Sequence, residues 1–158
     1  MKKASIVLFL LWLIAACNPV EEFYDPVVIQ ETFHSFKGSW HHEDSVTFEL
    51  EIQNPEANHN IYLDIRHERI YPFRNIWVST HLQGPGQQNE WNRQELPLAT
   101  AQGVWRGIEI GDWVFQRVRI HRGKSFEEEG PHQFSVRHIM RDDNLPVHTI
   151  GIRVEQGR

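Results

Sequence analysis

Of 158 residues only one is a cysteine, Cys17, and no stretch keeps the three-and-four spacing of an amphipathic helix over the roughly ten residues a helix needs. The first absence excludes an intramolecular disulfide in any redox compartment, so stability has to come from a packed core. The second leaves strands to build the domain. Basic residues are also scarce: 16 Lys and Arg stand against 21 Asp and Glu. That balance argues against nucleic acid or an anionic lipid surface as the main partner, because both select a basic face. Chemistry-bearing motifs are missing in the same way. There is no Gly-x-Ser-x-Gly nucleophile elbow and no glycine-rich phosphate loop. Internal repeats and low-complexity segments are absent too. No catalytic constellation remains, and no enzymatic activity is expected.

What is present begins at the N-terminus. Lys2 and Lys3 precede the apolar run Ile6 to Ile14, and Ala15-Ala16 closes it, the layout of a secretory signal peptide. The run is shorter than the about 20 residues a membrane-spanning helix requires. Cys17 directly after Leu13-Ile14-Ala15-Ala16 resembles the lipobox of bacterial lipoproteins. That resemblance implies diacylglycerol on the thiol, cleavage before Cys17 and a third acyl chain on the new amine. Several acyl chains, at about 0.8 kcal/mol per buried methylene, hold a protein on a membrane almost permanently. Residues 1–16 are thus expected to be removed and 17–25, with Pro19, Glu21 and Glu22, to form a lipidated spacer. Residues 26–158 are expected to fold as one domain. Loss of Lys2 and Lys3 leaves 14 Lys and Arg against 21 Asp and Glu, a net charge of −7.

The mature chain reads as short strands divided by turns. Val46, Phe48, Leu50 and Ile52 alternate without a fault with polar neighbours, the clearest strand in the protein. Asn54-Pro55 to Asn60 supplies turn residues, after which Ile61, Leu63 and Ile65 alternate with Tyr62, Asp64 and Arg66. These two runs are expected to pair antiparallel. Beyond the break Tyr71-Pro72-Phe73-Arg74-Asn75, Ile76, Val78, Thr80 and Leu82 resume the pattern. Arg93 to Leu98 is a weaker strand whose Pro97 calls for an edge or a bulge. Gly103-Val104-Trp105-Arg106-Gly107 reads as a tight connection holding one large anchor. Trp113 to His121 sets Val114, Gln116, Val118 and Ile120 on one face and Phe115, Arg117 and Arg119 on a wet one, and a loop is expected from Arg122 to Pro131. Phe134 to Met140 and Ile150 to Val154 alternate again, while a first strand within Pro26 to Phe33 has consecutive apolar residues. Many short strands with Gly and Pro between them indicate an all-β, antiparallel β-sandwich, with jelly-roll wiring as one option for a strand order that periodicity leaves open.

Ten histidines raise the question of a metal, and His41-His42 beside Glu43 and Asp44 is their densest spot. Adjacent strand residues point to opposite faces, so no metal site and no cofactor is expected. Tryptophans on a sandwich surface can stack on sugar rings. Trp77, opposite the Ile76 and Val78 face, and Trp91 are the candidates for such a glycan platform. Trp40, Trp105 and Trp113 are expected to anchor the core. Exposed aromatics beside arginines serve protein interfaces equally well, so glycan binding stands as the alternative to protein docking.

The order of landmarks adds a resemblance. Cys17, Trp40, Arg66 followed by Tyr71-Pro72 and Asn75-Ile76, Gly103-Val104-Trp105-Arg106-Gly107, Met140-Arg141 with Leu145, and Gly151-Ile152 together resemble the gliding-motility lipoprotein H family, GldH, over nearly the whole mature chain. The resemblance implies a non-enzymatic accessory or stabilising lipoprotein tied to gliding and type IX secretion, whose partners are other envelope proteins. It singles out Arg66, Tyr71, Asn75, Trp105 and Arg141 as docking residues or fold determinants. Asn18 after the cysteine is no obvious inner-membrane retention signal, so the outer membrane, facing the periplasm, is the expected location. Growth with an inhibitor of lipoprotein signal peptidase should accumulate unprocessed precursor on an immunoblot. Processing that ignores the inhibitor would exclude the lipobox at Cys17.

Overall fold

Val46, Phe48, Leu50 and Ile52 are buried while Thr47, Glu49 and Glu51 are exposed, the pattern a strand shows when one face meets a core and the other meets water. The structure, a computed structural model, describes residues 26–85 and 90–157. The signal peptide, Cys17 and the 17–25 spacer lie outside the described residues. In chain order the strands are β1 (Val28–Ser35), β2 (Trp40–His41), β3 (Val46–Ile52), β4 (His59–Glu68), β5 (Asn75–Gln83), β6 (Asn92–Pro97), β7 (Ile108–Ile110), β8 (Trp113–Lys124), β9 (Gly130–His138), β10 (Asn144–Leu145) and β11 (Val147–Gln156). No helix occurs among the described residues.

Two antiparallel sheets, ordered β1-β11-β4-β8-β7 and β3-β9-β5-β6, carry the fold, with β2 and β10 forming a separate two-stranded ribbon. Among the long strands β1 pairs with β11, β3 with β9, β4 with β8, and β5 with β6. Outermost strand meets outermost and innermost meets innermost, while successive pairs fall in alternate sheets. This is jelly-roll wiring. Leu50, Leu63, Ile76, Phe134 and Ile152, drawn from both sheets, and Trp40 from the ribbon are fully buried in one cluster.

Several expectations need correction. The Val46–Ile52 and Ile61–Ile65 runs are not partners, because β3 pairs with β9 and β4 lies between β11 and β8. The segment between them carries the chain from one sheet to the other, so their apolar faces meet across the core. Alternation looks identical in either arrangement, which is why periodicity does not choose. β8 runs on to Lys124 through Arg122-Gly123, shortening the expected loop, and Met140 falls beyond the end of β9. The short β2, β7 and β10 have no alternation to read. Trp40 is fully buried and Trp105 packs against the core, but Trp113 is only half-buried and shares the outer face of β8 with Phe115. β6 is an edge strand, where Pro97 loses no ladder bond.

Buried histidines act as aromatic plates in this core. The His138 ring stands edge-on to Trp40 at 5.3 Å, and His67 packs on Trp105 at 4.6 Å. Among the described residues no three His, Cys, Asp or Glu side chains converge as a metal site. Burial lowers the pKa of His67, His121 and His138 below the ordinary 6.5. Below that value the unfolded chain binds protons that the folded one refuses. The stability these groups contribute is complete above about pH 6.5 and is lost as pH falls toward their folded values. The urea midpoint should therefore fall between about pH 7 and pH 5, and less steeply in His138→Phe; equal slopes would contradict the assignment. Phe134→Ala, at the centre of the cluster, should cost about 3–5 kcal/mol in urea unfolding at neutral pH.

Candidate functional site

At one end of the sandwich, three of the singled-out residues come together. Tyr71 is 4% exposed and donates its hydroxyl to the Asn75 carbonyl at 3.1 Å. Its ring lies 5.1 Å from His67 and 6.4 Å from Trp105. Burial raises the phenol's pKa well above its ordinary value, with Asp142 adding in the same direction. Asn75 Nδ2 donates to Glu95 Oε1 at 2.6 Å. Trp105 bridges Ala99 through its backbone. The chain after it approaches β8 so closely that a Cβ at Gly107 would strike the Phe115 carbonyl, which gives the second glycine of the Gly-x-Trp-x-Gly motif its reason. These contacts tie the loops at this end to β4 and β5.

Trp77 and Arg141 meet beside this end, on the outer side of β5, where Phe73 connects their groove to Tyr71. They line a shallow groove of about 370 Å³ with Phe73 and Met140, and the Trp77 amide donates to Met140 Sδ at 3.2 Å. Trp77 is partly exposed on the outer face of β5. Trp91 is stacked on His81 at 5.3 Å and lies 4.5 Å from the Arg137 guanidinium, so its ring already has partners within the protein. The two candidate tryptophans do not share one platform.

Arg66 occupies a third location, the outer face of the five-stranded sheet. Cross-strand register places Ser35, Thr149, Arg66, Phe115 and Ile108 in one row across β1, β11, β4, β8 and β7. The adjacent row is Phe33, Gly151, Asp64 and Arg117. Phe33 lies directly over Gly151, where any Cβ would overlap its ring. A groove of about 630 Å³ runs between Phe33 and Ile108 with Arg66, Arg106, Asp64 and Thr149 in its lining. Arg117 grips Asp64 with two bonds of 2.7 Å and reaches Glu31 at 2.8 Å. Arg153 joins Glu31 to Glu155 at 3.1 and 2.7 Å. The Asp64 hydrogen bonds raise the Arg117 pKa further. Arg66 differs. Its guanidinium lies 4.6 Å from the Trp113 ring centre and 5.8 Å from that of Phe115, and its buried Nε has no hydrogen-bond partner.

Phe33, Ile108 and Thr149 were not among the sequence candidates. The wet face of Phe115 and Arg117 was visible as alternation, but its alignment with Arg66 depends on pairing between distant segments. The arrangement offers a fixed cation between apolar walls. It holds no nucleophile beside a base.

Comparison with known proteins agrees with the motif order. The family described as GldH lipoprotein matches residues 28–154. A gliding motility lipoprotein GldH homolog of Christiangramia forsetii is 24% identical over 136 residues, 86% of this chain and 79% of the relative. The gliding motility lipoprotein GldH of Flavobacterium johnsoniae is 20% identical over 163 residues, covering 98% and 97%. Among solved structures, a 4-O-methyl-α-glucuronidase with specificity for decorated arabinogalactans superposes with a TM-score of 0.48 at 11% identity; the match covers 85% of this chain but spans only 18% of that enzyme. A family 35 carbohydrate binding module from Clostridium thermocellum gives 0.38 at 14% identity, covering 82% and 98%. These two likenesses are too slight to bear on function. With the family match running from β1 into β11, the chain belongs to the GldH lipoprotein family.

Proposed function

We propose that this chain is a lipid-anchored, non-enzymatic component of the gliding-motility apparatus, linked to type IX secretion, that works through contacts with other envelope proteins. The observation that carries the reading is the extent of the family match, residues 28–154, which takes in nearly the whole sandwich. The two curated relatives both bear the gliding motility lipoprotein name. A lipoprotein of this family is held at the cell envelope. In this reading Cys17 carries the lipid, the 17–25 segment gives the domain reach from an outer membrane, and the sandwich faces the periplasm.

The surfaces suit such a role. Trp77 and Arg141 share a shallow groove, and Arg66 stands between aromatic walls on the opposite sheet; Trp, Tyr and Arg dominate binding energy at protein interfaces. Tyr71 is too deeply buried to meet a partner directly and serves by holding the end of the sandwich in shape. Deletion of the gene in its own host should abolish colony spreading, protein secretion or both, and wild type should restore them where Cys17→Ala does not. Spreading and secretion untouched by deletion would refute this function.

A further inference from the structure

The outer face of the five-stranded sheet combines two features. The first is exposed apolar surface: Phe33 is 55% exposed, Ile108 70%, Ile110 61% and Phe115 40%, and the register puts them on the same side of the sheet. The second is an unbalanced cation. Arg117 and Arg153 on this face are matched by Glu31, Asp64 and Glu155. Among the described residues Arg66 has no carboxylate within ion-pair distance, and neither has Arg106 at the groove's edge. In a chain of formal charge −5 this is a local positive site in an acidic protein.

Position matters as much as charge. Trp113 and Phe115 hold the Arg66 guanidinium in place, so Arg66 itself loses little side-chain freedom when a partner binds it. The planar fork then favours a carboxylate taken by two parallel bonds.

We propose that this groove docks an acidic segment of a partner protein, an Asp or Glu carboxylate seating on Arg66 with Arg106 as a second cation, and neighbouring apolar side chains packing against Phe33, Phe115 and Ile108. The proposal rests on the reading that the chain works through protein contacts, and it names the surface and the chemistry of the partner. A polypeptide fits better than a sugar. Ile108 and Ile110 present no aromatic face to a sugar ring, Phe33 rests on Gly151, and the rings of Trp113 and Phe115 already flank Arg66. An acidic polypeptide supplies both the charge and the aliphatic groups that these walls require.

The test uses the full-length lipidated protein in its own host, with a photo-crosslinking benzoylphenylalanine at position 108 in place of Ile108. The crosslinked peptide should come from another envelope protein and contain an Asp or Glu within a few residues of the crosslink. Arg66→Glu should lower the yield by roughly tenfold, and reversing the partner's acid to Arg should restore it in that background. Arg106→Glu, whose exposed side chain supports no part of the core, should weaken the crosslink while leaving the fold unchanged. A crosslink to a second copy of this chain, to a polysaccharide or to a segment without a carboxylate would overturn the assignment. So would a yield indifferent to both charge reversals. If deletion stops spreading but the Arg66→Glu, Arg106→Glu double variant spreads normally, the groove is wrong and the protein-contact reading stands. A deletion without phenotype removes that reading itself.

Discussion

Mutual burial of two one-sided sheets holds this protein together. The single cysteine can form no internal crosslink, so the inner faces of β3, β9 and β5 against those of β11, β4 and β8 carry the stability. Each large apolar side chain buried there contributes about 1.5–3 kcal/mol. The requirement reaches β3, β4, β5, β8, β9 and β11, because a slip of one residue would turn the apolar set of any of them outward. It also explains the use of His67 and His138 as core aromatics. They fill volume beside Trp105 and Trp40, at the cost of resistance to acid.

Spending the inner faces on stability leaves the outer faces and the ends free to specialise, and the two outer faces have done so differently. On the four-stranded sheet Trp91 is occupied by His81 and Arg137, while Trp77 stays partly exposed in a shallow groove beside Met140. On the five-stranded sheet one half is an ion network in which Glu31 links Arg117 to Arg153. The other half sets apolar side chains around Arg66. Gly151 makes that second half possible by letting Phe33 lie flat on the sheet.

The residues that mark the family thus serve more than one purpose. Tyr71, Asn75 and Trp105 are joined through a hydroxyl bond and ring packing at one end of the core, whereas Arg66 and Arg141 reach the surface at separate places. Order along the chain made them look like one group. Strand alternation separates Arg66 from its neighbour His67, sending one outward and the other into the core.

Fold class, the burial pattern of β3, β4 and β9, and the family were legible in the sequence, because alternation and motif order are local properties that survive without knowledge of contacts. The missing donor of Pro97 narrowed its place to an edge or a bulge, and the sheet order decided for the edge. Strand partners were not legible. The Val46–Ile52 run shows the same periodicity whether it pairs with β4 or faces it across the core, and only the closing of the jelly roll selects β9. The groove depended on tertiary structure still more heavily. Phe33, Arg66, Phe115 and Thr149 come from four distant segments, and their shared face exists only through cross-strand register. Arg66 looks like any other surface arginine until that register surrounds it with rings and leaves it without a carboxylate.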